Sequence, residues 1–163
     1  MGNGFVGHCQ AADRALAAGG AQHGVFIHPV VKTNPFKRLL MKNAVHWFEI
    51  PVADIARAQT FYAAMLGAPL RLEPMGDQTL AVLPYTEPGV GGALICGPKV
   101  SPPGAAGAIV YLAAEPDLDS TVQRALAAGA ELLVPRVDLP SGMGAFVHIR
   151  DLDGNRIGLH AAN

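Results

Sequence analysis

The sequence predicts an α+β fold in which two βαβββ modules form a curled eight-stranded mixed sheet around a cavity. Three observations predict it: a repeat of about 62 residues, one helical stripe in each repeat, and three short strand-like segments after each stripe. Gly67 and Gly129, which end the two stripes, are 62 residues apart. We therefore expect one domain over residues 41–163, with modules at 43–97 and 105–161.

The first module begins with a strand-like run at residues 44–52. Asp54 is a good helix N-cap, and Gly67 suits the left-handed conformation that ends many helices. Between them, apolar residues recur at helical spacing. They are Ile55, Ala58, Tyr62 and Met65. The pattern predicts a helix that packs one face against a sheet.

The second module repeats this order. Residues 108–113 form an apolar strand, Asp117 is the next N-cap, and Gly129 ends the second helix. The apolar stripe of this helix consists of Leu118, Val122, Ala125 and Leu126. Because a helix covers one face of each sheet and the cavity takes the other, we expect the first strand of this module to be buried on both faces.

Turn-forming Gly, Pro and Asp residues divide the sequence after each helix into three short strands. The predicted strands are 70–75, 78–84 and 90–96 in the first module, and 131–138, 144–150 and 155–160 in the second. A linker at residues 97–104 joins the modules, and Pro102 and Pro103 make it stiff.

Composition narrows the function classes. The chain has 163 residues, 50% of them hydrophobic, and a formal net charge of -1. This gives enough apolar surface for a core and no basic footprint for nucleic acid. No apolar run approaches the roughly 20 residues that span a bilayer. Cys9 and Cys96 lie far apart and are interpreted as free thiols, which favours a reducing, cytoplasmic location.

Residues 1–40 differ from the rest of the chain. The segment is rich in glycine and carries a net charge of +3, from Arg14, Lys32, Lys37 and Arg38 against Asp13. It lacks the basic start and long apolar run of a secretory signal. We interpret it as an N-terminal extension. It is either a stretch upstream of a natural start at Met41 or an arm that docks on a partner subunit.

Two motifs carry a family resemblance. Asp151 to His160 forms a tight Asp-Gly-Asn turn that leads into the last strand, and Trp47 to Asp54 leads into a helix with Phe61-Tyr62 and Leu66-Gly67. Together they resemble the vicinal-oxygen-chelate superfamily of glyoxalases, bleomycin-resistance proteins and extradiol dioxygenases. The resemblance covers about residues 43–161. It implies the same paired βαβββ fold and a homodimer.

In that family, metal-binding members hold the ion with four side chains, one each on the first, fourth, fifth and last strands. Counting from Asp54 and applying the 62-residue repeat, the matching positions here are Trp47, Cys96, Ile109 and Gly158. These residues cannot form an oxygen or imidazole site, so we expect no metal and no cofactor.

One alternative keeps a metal. If the register is shifted by one residue, His46 could join His148 and His160 as nitrogen ligands of a transition metal.

Strand alternation selects the side chains that face the cavity. They are Trp47, Glu49, Tyr111, Arg156 and His160. Trp47 offers a flat stacking surface, and Arg156 offers a fork for a carboxylate or phosphate. Alternatively, Glu49 and Arg156 simply pair with each other as a structural ion pair.

The sequence therefore predicts a metal-free member of this superfamily that binds a small polar-aromatic or anionic molecule between its sheets. Two enzymatic alternatives stay open. One is a metal-dependent lyase, similar to lactoylglutathione lyase, or a dioxygenase. The other is a metal-free acid/base enzyme in which Glu49 and His160 are catalytic.

We expect deletion of residues 1–40 to leave a folded domain, because both βαβββ modules lie downstream. The truncated protein should retain a cooperative thermal transition in circular dichroism, compared with the full chain under the same conditions. Loss of that transition would show that the N-terminal segment is part of the fold.

Overall fold

The computed structural model describes residues 43–76 and 78–162. Within these residues, the predicted α+β fold with two βαβββ modules is confirmed. The predictions for residues 1–40, including the extension and Cys9, lie outside the described residues.

The first module consists of four strands and one helix. They are β1 (Trp47–Pro51), α1 (Ile55–Leu66), β2 (Arg71–Met75), β3 (Gln78–Val82) and β4 (Gly91–Cys96). The strands form a mixed sheet in the order β1-β4-β3-β2, with β1 at one edge. β1 is parallel to β4, and the other pairs are antiparallel.

The second module has the same topology. Its elements are β5 (Val110–Ala113), α2 (Leu118–Ala127), β6 (Glu131–Asp138), β7 (Ala145–Arg150) and β8 (Arg156–Ala161). The strand order is β5-β8-β7-β6, with β5 parallel to β8 and at the edge of the sheet.

The helices begin and end where the cap residues predict. The side chain of Asp54 accepts two backbone N–H bonds from the first turn of α1, each 3.0 Å, and Gly67 ends that helix with φ of 68°. Asp117 accepts the N–H of Ser120 at 2.7 Å, and Gly129 follows α2 with φ of 103°. These caps satisfy backbone donors and allow the chain to reverse.

One apolar core holds the two modules together. α1 and α2 contact each other, and each helix packs on one face of its own sheet. The core cluster joins side chains of both modules, including Ile50, Met65, Leu94, Leu112, Ile149 and Leu159. We call the opposite face of each sheet, turned away from the helices, its outer face.

The two sheets are not joined by strand pairing. Among the described residues, no backbone hydrogen bond links the edge strands β1 and β5, and both strands line a pocket of about 830 Å³. The eight strands thus form two four-stranded sheets. None of the described helices has the length and apolar character needed to cross a bilayer.

The expected burial of both faces of β5 is wrong. Leu112 is buried on the helix side, but Tyr111, whose ring is on the outer face, is 48% exposed. The reason is that β5 has β8 as its one strand neighbour, and the residue opposite Tyr111 there is Gly158, which has no side chain to cover the ring.

The turn between β7 and β8 ties the modules together. The buried carboxylate of Asp151 accepts the hydroxyl of Tyr62 on α1 at 2.8 Å and the backbone N–H of Asn155 at 2.8 Å. Asn155 in turn donates its amide to the carbonyl of Pro51 at 2.9 Å and accepts the N–H of Gly104 at 2.9 Å. The Asp-Gly-Asn motif therefore connects β8 with β1, α1 and the linker.

Burial, and then the charge of Asp151, raise the pKa of Tyr62 well above its usual 10.0. The phenol is therefore protonated in the folded protein, as its hydrogen bond to the carboxylate requires. Its contribution to stability is complete below pH 10 and is lost as the pH rises above that value.

We expect Tyr62→Phe to lower the free energy of unfolding by about 1–3 kcal/mol, because the buried carboxylate of Asp151 loses a donor. Urea unfolding at neutral pH measures the change. Tyr85→Phe is the matched control, since Tyr85 is 41% exposed, and it should change stability by less than about 0.5 kcal/mol. Equal effects of the two variants would contradict this role.

Candidate ligand-binding site

The strand registers place the predicted site residues of β1 on the outer face. Phe48 and Ile50 pack against the helix-side core, so Trp47 and Glu49 point the other way. On the second sheet, Tyr111 of β5 lies opposite Gly158 of β8. The alternation that the sequence predicts for these strands is therefore present.

The ring of Tyr111 lies across Gly158. A Cβ atom added at Gly158 would come within 2.4 Å of Cδ1 of Tyr111. The ring also meets Phe146 edge-on, with centroids 5.7 Å apart. Because the backbone of Gly158 has no side chain, it allows this close approach, and the tyrosine ring occupies the space where a longer residue at position 158 would project.

Three polar side chains form a chain of hydrogen bonds on the outer face of the second sheet. Arg156 contacts Nδ1 of His148 with Nη2 at 2.7 Å and Nε at 3.1 Å. Nε2 of the same imidazole lies 2.7 Å from the hydroxyl oxygen of Tyr111. We call these three residues the relay.

His148 is buried, with 6% of its surface exposed. Burial, and then the positive charge of Arg156, lower its pKa from the usual 6.5. The imidazole therefore stays neutral at neutral pH. The neutral imidazole of His148 contributes fully to the stability of the folded protein above pH 6.5. This contribution is lost as the pH falls through the lowered pKa.

The structure separates some of the residues that the sequence groups together. Trp47 is 40% exposed and lines a pocket of about 410 Å³ at the start of β1, edge-on to Tyr85. Glu49 and Arg156 line a different pocket, of about 450 Å³, beside the linker. Among the described residues no ion pair joins Glu49 to Arg156, because the guanidinium bonds His148 instead.

The two residues of the acid/base hypothesis lie apart. His160 donates through Nε2 to the carbonyl oxygen of Met143 at 2.8 Å and lines a pocket of about 360 Å³ with Tyr111. Glu49 lines two other pockets, and His160 lines neither of them.

One position derived from the repeat is wrong. Two equivalent backbone hydrogen bonds align the modules. In the first, the N–H of Val52 donates to the carbonyl oxygen of Ile95, and in the second, the N–H of Ala114 donates to that of His160. Ile95 therefore corresponds to His160, and two residues earlier Ala93, not Cys96, corresponds to Gly158. The offset is 65 residues there rather than 62, because Gly67 lies 24 residues before the start of β4 and Gly129 lies 27 residues before the start of β8.

Cys96 is a free thiol that packs against the helix-side core. Its Sγ lies 3.4 Å from the carbonyl oxygen of Ala53.

The family's metal does not fit these residues. The four corresponding positions carry Trp47, Ala93, Ile109 and Gly158, whose side chains offer no oxygen, imidazole or thiolate donor. In residues 43–76 and 78–162, no group of three His, Cys, Asp or Glu side chains is close enough to hold an ion. His46 precedes β1 and is exposed, so the shifted register is not formed.

His148 is a member of the relay that the sequence pattern did not identify, because it stood there only as a possible metal ligand. The signal was present in the turn: a tight connection at Asp151 to Asn155 sets the register of the β7–β8 hairpin. That register pairs His148 with Gly158, and therefore places the imidazole beside Tyr111.

The comparisons with known proteins agree with this fold. The Glyoxalase/Bleomycin resistance protein/Dioxygenase superfamily matches residues 44–159. The chain therefore belongs to this superfamily, as the motifs at Trp47 to Asp54 and Asp151 to His160 predict. No functionally curated protein matches the chain significantly.

Solved structures show the same architecture. A glyoxalase/bleomycin resistance protein from Albidiferax ferrireducens is 19% identical with a TM-score of 0.55, and the match covers 74% of this chain and 100% of that protein. A counterpart from Catenulispora acidiphila is 24% identical with a TM-score of 0.51, at 74% and 100% coverage. A glyoxalase I variant from Zea mays is 22% identical with a TM-score of 0.56, at 71% and 45% coverage. At these identities the likeness shows the fold alone.

We expect Gly158→Ala to destabilise the protein by about 1–3 kcal/mol, because the added methyl must displace the ring of Tyr111. Denaturant unfolding measures it. Gly104→Ala is the control, since nothing lies within 4 Å of an added Cβ there. In a Tyr111→Ala background the Gly158→Ala penalty should largely vanish, and an undiminished penalty would exclude the ring as its cause.

Proposed function

We propose that this protein binds a small molecule with an aromatic or apolar body and an oxygen acceptor, without a metal. We further propose that it does so in the cytoplasm as a homodimer, as its family resemblance implies. The observation that carries the binding proposal is the relay, which occupies the outer face at the position of the family's last metal ligand. A polar site with a fixed tyrosine stands where other members of the superfamily have a carboxylate.

The pocket between β1 and β5 supports a ligand of this kind. Its volume of about 830 Å³ lies in the range of small-molecule sites. Apolar side chains form most of its wall, and Tyr85 and Tyr111 are among its lining residues. Its apolar lining includes Phe48, Leu66, Leu83, Val90, Val110 and Leu112. Such a wall favours an aromatic or aliphatic body.

The charge near the relay favours an acceptor that is anionic. Arg156 is the one formally charged member, and it lies against His148 rather than against a carboxylate. A positive charge that is not neutralised by an ion pair stabilises a nearby anion in a partly buried site. Of the predicted site residues, Tyr111 lines the large pocket, whereas Arg156 and Glu49 line the pocket beside the linker. Trp47 and His160 line two other pockets.

The donor chemistry favours this proposal over a metal-dependent lyase or dioxygenase. Tight sites for zinc, nickel or iron need three or four protein ligands. The side chains at the four family positions provide none, and the guanidinium of Arg156 would repel a cation bound beside it.

We expect the purified protein to contain no stoichiometric zinc, nickel or iron by elemental analysis, even after growth with these metals added. Thermal-shift screening should find stabilising ligands among aromatic carboxylates and phenols, and a chelator should leave that stabilisation unchanged. One metal ion per chain, whose removal abolishes ligand binding, would contradict the proposal and restore the metal-dependent alternative.

A further inference from the structure

We infer that Arg156, His148 and Tyr111 act as a directed relay that turns the phenol of Tyr111 into a hydrogen-bond donor for an anionic or carbonyl oxygen of the ligand. This inference rests on the proposed function and adds to it the residue that selects the ligand. Tyr111 contacts the ligand, whereas His148 and Arg156 are positioning residues.

The direction of the relay follows from its first bond. A guanidinium has only donors, so both N–H groups that approach Nδ1 of His148 require a free lone pair on that nitrogen. A neutral imidazole with bare Nδ1 carries its proton on Nε2. The proton on Nε2 therefore points at the hydroxyl oxygen of Tyr111, 2.7 Å away, and this oxygen is the acceptor.

The second step concerns the phenolic proton. Since the imidazole already donates to the oxygen, the O–H of Tyr111 cannot be directed back at His148. Within the described residues the hydroxyl has no other hydrogen-bond partner. The O–H is thus left as a donor on a side chain that is 48% exposed.

The third step is rigidity. The ring of Tyr111 is fixed from below by Gly158 and from the side by Phe146 and His148. A donor held in place loses little conformational entropy when a ligand binds. Tyr85 offers a useful contrast, because it lines the same large pocket but has no hydrogen bond to a side chain among the described residues.

The ligand class follows from these features. The relay presents one donor, backed by the positive charge of Arg156, on the outer face of β5, a strand that also lines the large apolar pocket. This arrangement matches an aromatic oxyanion such as a phenolate or a carboxylate. Among the described residues, the one carboxylate that lines the large pocket is Glu115, four residues further along the chain. Glu49 lines the same pocket as Arg156, but no ion pair joins the two in the described part of the chain.

The experiment uses 4-nitrophenolate as the probe, at a pH at which it is ionised, because its absorbance shifts when its oxygen accepts a hydrogen bond. The matched probe is 4-nitrotoluene, which has a methyl group in place of the oxygen. Tyr111→Phe keeps the ring on Gly158 and removes only the donor. We expect it to weaken 4-nitrophenolate binding about ten- to a hundredfold and to leave 4-nitrotoluene binding unchanged.

Two further variants test the relay itself. His148→Gln should largely retain oxyanion binding, because its amide can accept from Arg156 and donate to Tyr111. His148→Leu should lose oxyanion binding and the absorbance shift, with 4-nitrotoluene binding retained.

The outcomes separate the two proposals. If the wild type binds either probe but Tyr111→Phe binds 4-nitrophenolate within about twofold of the wild type, the relay is wrong and the binding function stands. If neither probe binds the wild type, both the relay and the proposed aromatic ligand class fail.

A measurement on the unliganded wild type needs no variant. In the side-chain nitrogen-15 NMR spectrum, His148 should show a protonated Nε2 and a bare Nδ1 at neutral pH. A proton on Nδ1 would reverse the relay and overturn the inference.

Discussion

The carboxylate of Asp151 is the constraint on which the arrangement of the two modules depends. It is buried, and it is satisfied by the hydroxyl of Tyr62 from the other module and by the backbone and amide of Asn155. Asn155 reaches on to the carbonyl of Pro51 at the end of β1. Without these donors the charge would be uncompensated in the core, which costs several kilocalories per mole. The same turn fixes the register of β7 and β8, and so it also places His148 opposite Gly158.

On both the outer face and the helix side of the sheets, aromatic rings pack directly over glycines. The ring of Phe48 lies over Gly92, that of Trp47 over Gly91 and that of Tyr111 over Gly158, in each case between neighbouring parallel strands. A Cβ on any of these glycines would collide with the ring, so each pair depends on the absence of a side chain. At Gly158 this packing has a chemical consequence. The residue that would carry a metal-binding carboxylate in other family members instead supports a phenol with a defined hydrogen-bonding direction.

The elements of the fold were predictable from the sequence because their signals are local. Asp54 and Asp117 are caps whose side chains bond N–H groups two or three residues away, and apolar periodicity marks the helix faces. Strand alternation likewise places Trp47 and Tyr111 on the face opposite the helices, since alternation along a strand needs only one reference residue. The counterpart of Gly158 was not predictable from a constant repeat, because the strands and turns between the helix and the last strand add up to three more residues in the second module.

The sequence by itself determined the two βαβββ modules, their superfamily and the lack of donor side chains at most of the family's metal positions. These follow from caps, periodicity and residue identity, which act over a few residues. Only the tertiary structure decided which polar groups meet. Arg156 is hydrogen-bonded to His148 rather than paired with Glu49, and the imidazole of His148 is hydrogen-bonded to the phenol of Tyr111. The strands β1 and β5 do not pair with each other, and both line a pocket. These contacts depend on strand register and on distances between chain-distant atoms, and a sequence pattern does not specify either.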